Sequence, residues 1–208
     1  MPASTPIARS KTAALVRVLD CVPRGYTRYA CGTVAADKAE RLIRKLHERH
    51  KVGATPAQRL TRKGHGKANA ALVLWWPEGA LQVPWLMLFT EGALDAPEQL
   101  QNVTAKLRLV WLGYELVRYP NRGTTSWTWR RPKAEMSEHY AVLDQALKKH
   151  HFGVVADALA RIAHQPGFHG VREQSWALCQ YARRGGYGGE LPYLYFVQKV
   201  SHGDRLPL

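Results

Sequence analysis

The apolar pattern of this chain changes period at Pro132, and that change limits what it can fold into. Up to Arg131 the apolar residues come in short runs broken by turn residues. Residues 68–76 and 83–90 flank Pro77, Glu78, Gly79 and Ala80, and residues 107–119 and 124–131 flank Pro120, Asn121, Arg122 and Gly123. Apolar runs of this length on either side of a turn predict two β-hairpins. Pro84 has no N–H to give to a ladder, which places its run at a sheet edge or at a strand start. From Pro132 the spacing becomes helical, predicting three helices over 132–149, 152–164 and 171–184, with Pro166 and Gly167 separating the last two.

Earlier in the chain, residues 1–10 are rich in Pro, Ser and Ala and read as a flexible arm. Residues 11–19 suit either a short helix or a strand. Residues 25–34 read as a strand, and 35–51 as a helix with Ala39, Leu42, Ile43 and Leu46 on one face. Residues 52–67 read as a polar, basic connector, and 191–200 as a final strand. The sum is an α+β protein with a mostly antiparallel sheet of about five strands, one basic helix crossing it and a helical C-terminal part. Its β–α–β–β start is compatible with a ferredoxin-like or RRM-like layout. The expected division is the arm at 1–10, a basic α+β region at 11–131 and a helical region at 132–208 that packs on it as one unit.

Charge is unevenly spread over this pattern. The net charge is +14 over 208 residues. Residues 1–70 hold fifteen Lys/Arg against four Asp/Glu, and the remainder holds fifteen against twelve. A block of one sign beside a nearly balanced remainder is an electrostatic footprint for a polyanion, of which nucleic acid is the commonest. The three cysteines, at 21, 31 and 179, have no C-x-x-C spacing, which argues against both a disulfide framework and a four-cysteine zinc site. The most apolar run, 81–90, is too short to span a bilayer, and no apolar stretch follows the first residues as a secretory signal requires. A cytoplasmic protein of bacterial style, with no membrane partner, is the expectation.

Four patterns bear on chemistry. Arg41, Arg44, Lys45 and Arg49 fall at helical spacing and can line one stripe, which continues through Arg59, Arg62, Lys63 and Lys67. Gly64 and Gly66 lie among the last of these, but the spacing is not that of a Walker A loop. Arg118, Arg122, Trp127, Trp129, Arg130 and Arg131 interleave aromatic and basic side chains on the second hairpin. Exposed aromatics there would stack bases while arginines hold phosphates; buried ones would be core. Arg183 and Arg184 precede Gly185-Gly186-Tyr187-Gly188-Gly189, which fits either an Arg-Gly-Gly binding segment or a helix C-cap.

Histidines carry less. His47 and His50 share a helix but lack a carboxylate or cysteine cluster to complete a metal site, so they read as surface residues, and no metal or other cofactor is expected. Carboxylates are scattered; Glu91, Asp95 and Glu98 form their densest group, and metal-dependent nuclease chemistry is disfavoured.

The leading expectation is a non-enzymatic protein that binds single-stranded or structured RNA or DNA. A metal-independent endoribonuclease with His65 as acid/base, assisted by Lys63 or Lys67, is the enzymatic alternative. A basic module that binds or inhibits a protein partner is the third, and an exposed apolar patch from Trp75, Trp76, Trp85 or residues 193–197 would favour it.

Overall fold

A computed structural model describes residues 4–121, 123–197 and 204–207. The protein is α+β, with a mixed six-stranded sheet of order β5-β2-β4-β3-β1-β9 and a three-stranded sheet of order β6-β7-β8. By contacts the chain falls into two compact units, residues 1–112 with 200–208, and residues 113–199. The division therefore comes near 112 rather than at 131, and the second hairpin belongs with the helices. No helix among the described residues is long and apolar enough to cross a membrane.

The first unit opens with β1 (Ser4–Ala8), inside the stretch expected to be a flexible arm. β1 runs parallel to β3, which makes the sheet mixed rather than antiparallel throughout. Thr5, Ile7 and Ala8 are buried, so this short strand is held by both its ladder and its side chains. Ser10 then starts α1 (Lys11–Cys21), its hydroxyl accepting from the Ala13 N–H. That cap, with Ala14, Leu15 and Val18 buried at helical spacing, decides between helix and strand.

β2 (Arg28–Ala35) runs directly into α2 (Ala36–His50), which Lys51 closes in the left-handed region at φ 53°. α2 buries Ala39, Ile43 and Leu46 against the sheet, where they meet Leu72, Leu74, Val83, Met87 and Phe89. Each large aliphatic side chain so buried contributes about 1.5–3 kcal/mol. Residues 56–64, expected as connector, form α3 (Pro56–Gly64). Thr55 and Gln58 make a reciprocal capping box, with Pro56 at the first helical position. α3 buries none of its residues, so the apolar pattern gave no sign of it.

β3 (Ala70–Trp75) and β4 (Gln82–Phe89) form the predicted first hairpin. β4 lies in the middle of the sheet, between β2 and β3. Pro84 is tolerated because pairing with β3 begins only at Trp85. Two-residue β5 (Gln101–Asn102) covers only the Arg28–Tyr29 end of β2. β9 (Arg205–Pro207) completes the other edge, antiparallel to β1.

β6 (Val110–Trp111) precedes β7 (Tyr114–Asn121) and β8 (Thr124–Arg130), the predicted second hairpin. Then come α4 (Lys133–Lys148), α5 (Phe152–Ala163) and α6 (His169–Arg184). Leu143, Val155, Leu159, Leu178 and Cys179 form their shared core. α6 approaches β8 closely: a Cβ on Gly170 would lie 2.8 Å from the Trp129 carbonyl oxygen, a contact only glycine avoids. Residues 191–197 form no strand, and 198–200 lie outside the described residues.

Candidate functional site

α2 and α3 carry eight of the fifteen Lys and Arg of the basic third. Burial of Ala39, Ile43 and Leu46 turns Arg41, Arg44 and Lys45 outward, and all three are exposed. Lys51, just past the helix, and Lys63 on α3 are exposed too. Among the described residues none of these five cations makes an ion pair.

Arg49, Arg62 and Lys67 are instead held by protein groups. Arg49 donates to the Pro97 carbonyl at 2.8 Å and pairs with Glu98 at 3.4 Å. Arg62 donates to the Ala68 carbonyl at 2.7 Å and to Asp95, which also takes Lys67 at 3.1 Å. Partial burial by itself would raise the Asp95 carboxyl, but the hydrogen bonds and charges of Arg62 and Lys67 outweigh it and hold Asp95 below its ordinary value. Arg59 is half-buried, its carbonyl accepting from the Asn69 side chain.

Between α2 and α3 runs a groove of about 740 Å³. Arg44, Lys51 and Arg62 line it with His47, and Glu48 is its one acid. The two histidines of α2 are core residues rather than surface ones. His47 is 8% exposed, and its Nε2 hydrogen-bonds the Thr5 hydroxyl on β1. Burial holds the His47 imidazole below its ordinary value, so it is neutral near pH 7. His50 is 2% exposed, meets Glu98 at 3.2 Å and sets its ring edge-on to Phe89. The i,i+3 spacing thus serves two separate packing sites, because β1 and the 97–98 segment each offer a polar partner under α2. No group of three or more His, Cys, Asp or Glu that could hold a metal occurs among the described residues.

His65 is exposed at the C-cap of α3, and no hydrogen bond or ion pair holds its side chain among the described residues. Its ring lacks the orienting partner that a general base needs.

The second hairpin sorts its residues differently from a continuous binding face. Trp129 and Arg131 are both fully buried, which corrects their placement on a binding surface. Arg131 donates to the Gln165 side chain at 2.5 Å, the Ser175 hydroxyl at 2.8 Å and the Val171 carbonyl at 3.2 Å. Arg130 pairs with Glu115 at 2.8 Å. Arg118 is exposed and lies over the half-buried Trp127, 4.8 Å from its ring centroid. Arg122 lies outside the described residues. At the end of α6, Arg183 donates to the Tyr187 carbonyl at 2.7 Å, Gly185 caps the helix and Tyr187 is buried. The glycine segment is a helix ending here, and Arg184 stands exposed beside it without an ion pair among the described residues.

Sequence reasoning missed the groove itself, because it needs α3 to form its second wall. The signal was the Thr55-Pro56-Ala57-Gln58 capping box. Comparison of the chain with protein-family models, curated proteins and solved structures finds no match.

Proposed function

We propose that this protein binds nucleic acid through the cationic surface of α2 and α3, without catalysis. The observation that carries the reading is the set of five exposed, unpaired cations Arg41, Arg44, Lys45, Lys51 and Lys63 on adjoining elements. Exposed cations normally find carboxylates within reach on a mixed surface. A surface that leaves several unmatched attracts a polyanion, and each phosphate it neutralises releases counterions. Single-stranded or structured RNA or DNA is the proposed ligand. The endoribonuclease alternative draws no support from the unoriented His65.

The test is fluorescence anisotropy with labelled single-stranded RNA, single-stranded DNA and duplex DNA across a salt titration. Each phosphate contact adds roughly −0.7 (single strand) or −0.9 (duplex) to the log–log salt slope, so four to five contacts predict a slope of about −3 to −3.5 for single strands and about −3.6 to −4.5 for duplex. A flat slope, or weak binding to all three near physiological salt, sinks the reading.

One observation favours a second reading, a protein-interaction module. Tyr193, Tyr195 and Phe196 are each more than 60% exposed, and Trp176 on α6 is 51% exposed. Arg172 lies over the Phe196 ring at 3.3 Å. Exposed aromatics gathered within one unit are a surface of the kind that docks proteins. Retention of a protein partner that depends on Tyr193 and Phe196, with no nucleic-acid affinity, would replace the first reading with this one.

A further inference from the structure

We infer that the groove between α2 and α3 receives a single unstacked nucleotide, its base inserted between the helices and its flanking phosphates held by Arg44 and Lys51. The inference rests on the nucleic-acid reading above and specifies which form of nucleic acid the site selects.

Size permits it. At about 740 Å³ the groove falls within the span of pockets that take small organic ligands, roughly 300–1,000 Å³. Small residues keep it open: Gly53, Ala54 and Ala57 form part of its wall, where any large side chain would fill it.

Its polar chemistry is unfinished. His47 and Arg62 both line the groove, and each holds a buried nitrogen, His47 Nδ1 and Arg62 Nε, that no protein group satisfies. A buried polar atom without a partner costs about 1–3 kcal/mol. Other atoms of both side chains are held by the protein, His47 Nε2 by Thr5 and Arg62 Nη2 by the Ala68 carbonyl and Asp95. The two residues are therefore held in place, and because protein atoms cover both nitrogens, a base that bonds them must displace that cover. If the Thr5 hydroxyl donates to Nε2, Nδ1 carries the proton and offers a donor; the other tautomer offers an acceptor. The Watson–Crick edge of every base carries groups of both kinds.

Charge selects the class of ligand. Arg44 and Lys51 are exposed at the groove and unpaired, against the single acid Glu48. Neutral or cationic ligands gain nothing from them, whereas a phosphate on either side of an inserted base meets one. A base in a duplex reaches such a groove only after unstacking and unpairing, at a cost of a few kcal/mol, and a single strand largely avoids that cost. The site therefore selects single strands.

The test fills the groove and leaves every cation in place. Ala57→Trp is the first variant. Thr61→Phe, one turn further along the exposed face of α3, is the second should Ala57→Trp fail to fold by circular dichroism. Labelled single-stranded and duplex oligonucleotides of equal length are titrated by anisotropy, and a single strand carrying 2-aminopurine reports unstacking through its emission. The expected result is at least a tenfold loss of single-strand affinity, duplex affinity within twofold of the parent, and loss of the 2-aminopurine signal that the parent produces. Equal weakening of both ligands, or unchanged single-strand binding, overturns the nucleotide pocket and leaves the cationic surface standing. If the parent binds neither ligand, the nucleic-acid reading itself fails, and the pocket with it.

Discussion

Arg44 on α2 and Arg131 after β8 carry the same guanidinium into opposite surroundings. Arg44 stands in solvent and makes no ion pair among the described residues. Arg131 is fully buried, its N–H groups spread over Gln165, Ser175 and the Val171 carbonyl, with the Glu135 carboxylate 3.9 Å away. Burial pulls the Arg131 guanidinium below its ordinary value, while Glu135 and Tyr114 pull it back up. Tyr114, buried nearby, is itself pushed up to about 12. The difference teaches that a basic stretch acquires a use only through its partners. Where acids and amides are supplied, arginine becomes a cross-link between elements; where they are withheld, it is left for a ligand.

The comparison breaks first at Arg131. Arg131→Leu should destabilise the second unit by about 3–5 kcal/mol, because its amide, hydroxyl and carbonyl partners are left buried without a donor. Urea denaturation measures this, and a loss below about 1 kcal/mol would show the cross-link to be dispensable.

On the other side, Arg44→Glu with Lys45→Glu should leave the urea midpoint within about 0.5 kcal/mol of the parent, as exposed substitutions do. Its affinity for a single-stranded oligonucleotide should fall about 100-fold at low salt, with the salt slope shallower by roughly 1.4. A variant that binds as the parent does would move the interface elsewhere.

Asp95→Asn sharpens the contrast by releasing Arg62 and Lys67 from their shared carboxylate. Oligonucleotide binding by anisotropy should tighten about two- to fivefold as two more cations become available. Weaker binding would mean that Asp95 positions Arg62 rather than competing for it.

The smallest effect is in pH. His47 is held below its ordinary value in the folded protein, so the unfolded chain binds its proton first as pH falls. Stability is fully present above about pH 6.5 and declines as pH drops from there toward the folded value. His47→Gln should flatten that part of a urea-midpoint profile between pH 7 and 5; an equally steep profile in the variant would assign the slope to other groups.

Much of this was legible in the residues. The period change at Pro132 announces the three helices, and turn residues between apolar runs announce both hairpins. β1 escaped because Thr5-Pro6-Ile7-Ala8 has the composition of a loose arm, and only the ladder with β3 makes it a strand. α3 escaped because a helix that buries nothing has no apolar period, although its cap was written out in Thr55 and Gln58. The cations of α2 were readable, since Ile43 and Leu46 dictate which way they turn. The fate of Trp129 and Arg131 was not, because alternation along a strand says which residues share a face and nothing about whether a helix covers it. α6 supplies that cover for Arg131 from Val171 and Ser175, 40 and 44 residues downstream, while its Gly170 packs on the Thr128 and Arg130 side.

The pairing of β9 with β1 bears on the order in which the protein assembles. The Ile7 N–H reaches the Asp204 carbonyl at 2.8 Å, and Arg9 meets the Asp204 carboxylate at 2.8 Å. One edge of the six-stranded sheet therefore stays open on the ribosome until residues 204–207 emerge. The 113–199 unit, by contrast, is continuous in sequence and has all its strands and helices to hand earlier. β1 is made long before the β9 strand that completes it, so a nascent chain stalled before residue 204 carries a bare β1 edge, available to any extended peptide that reaches it.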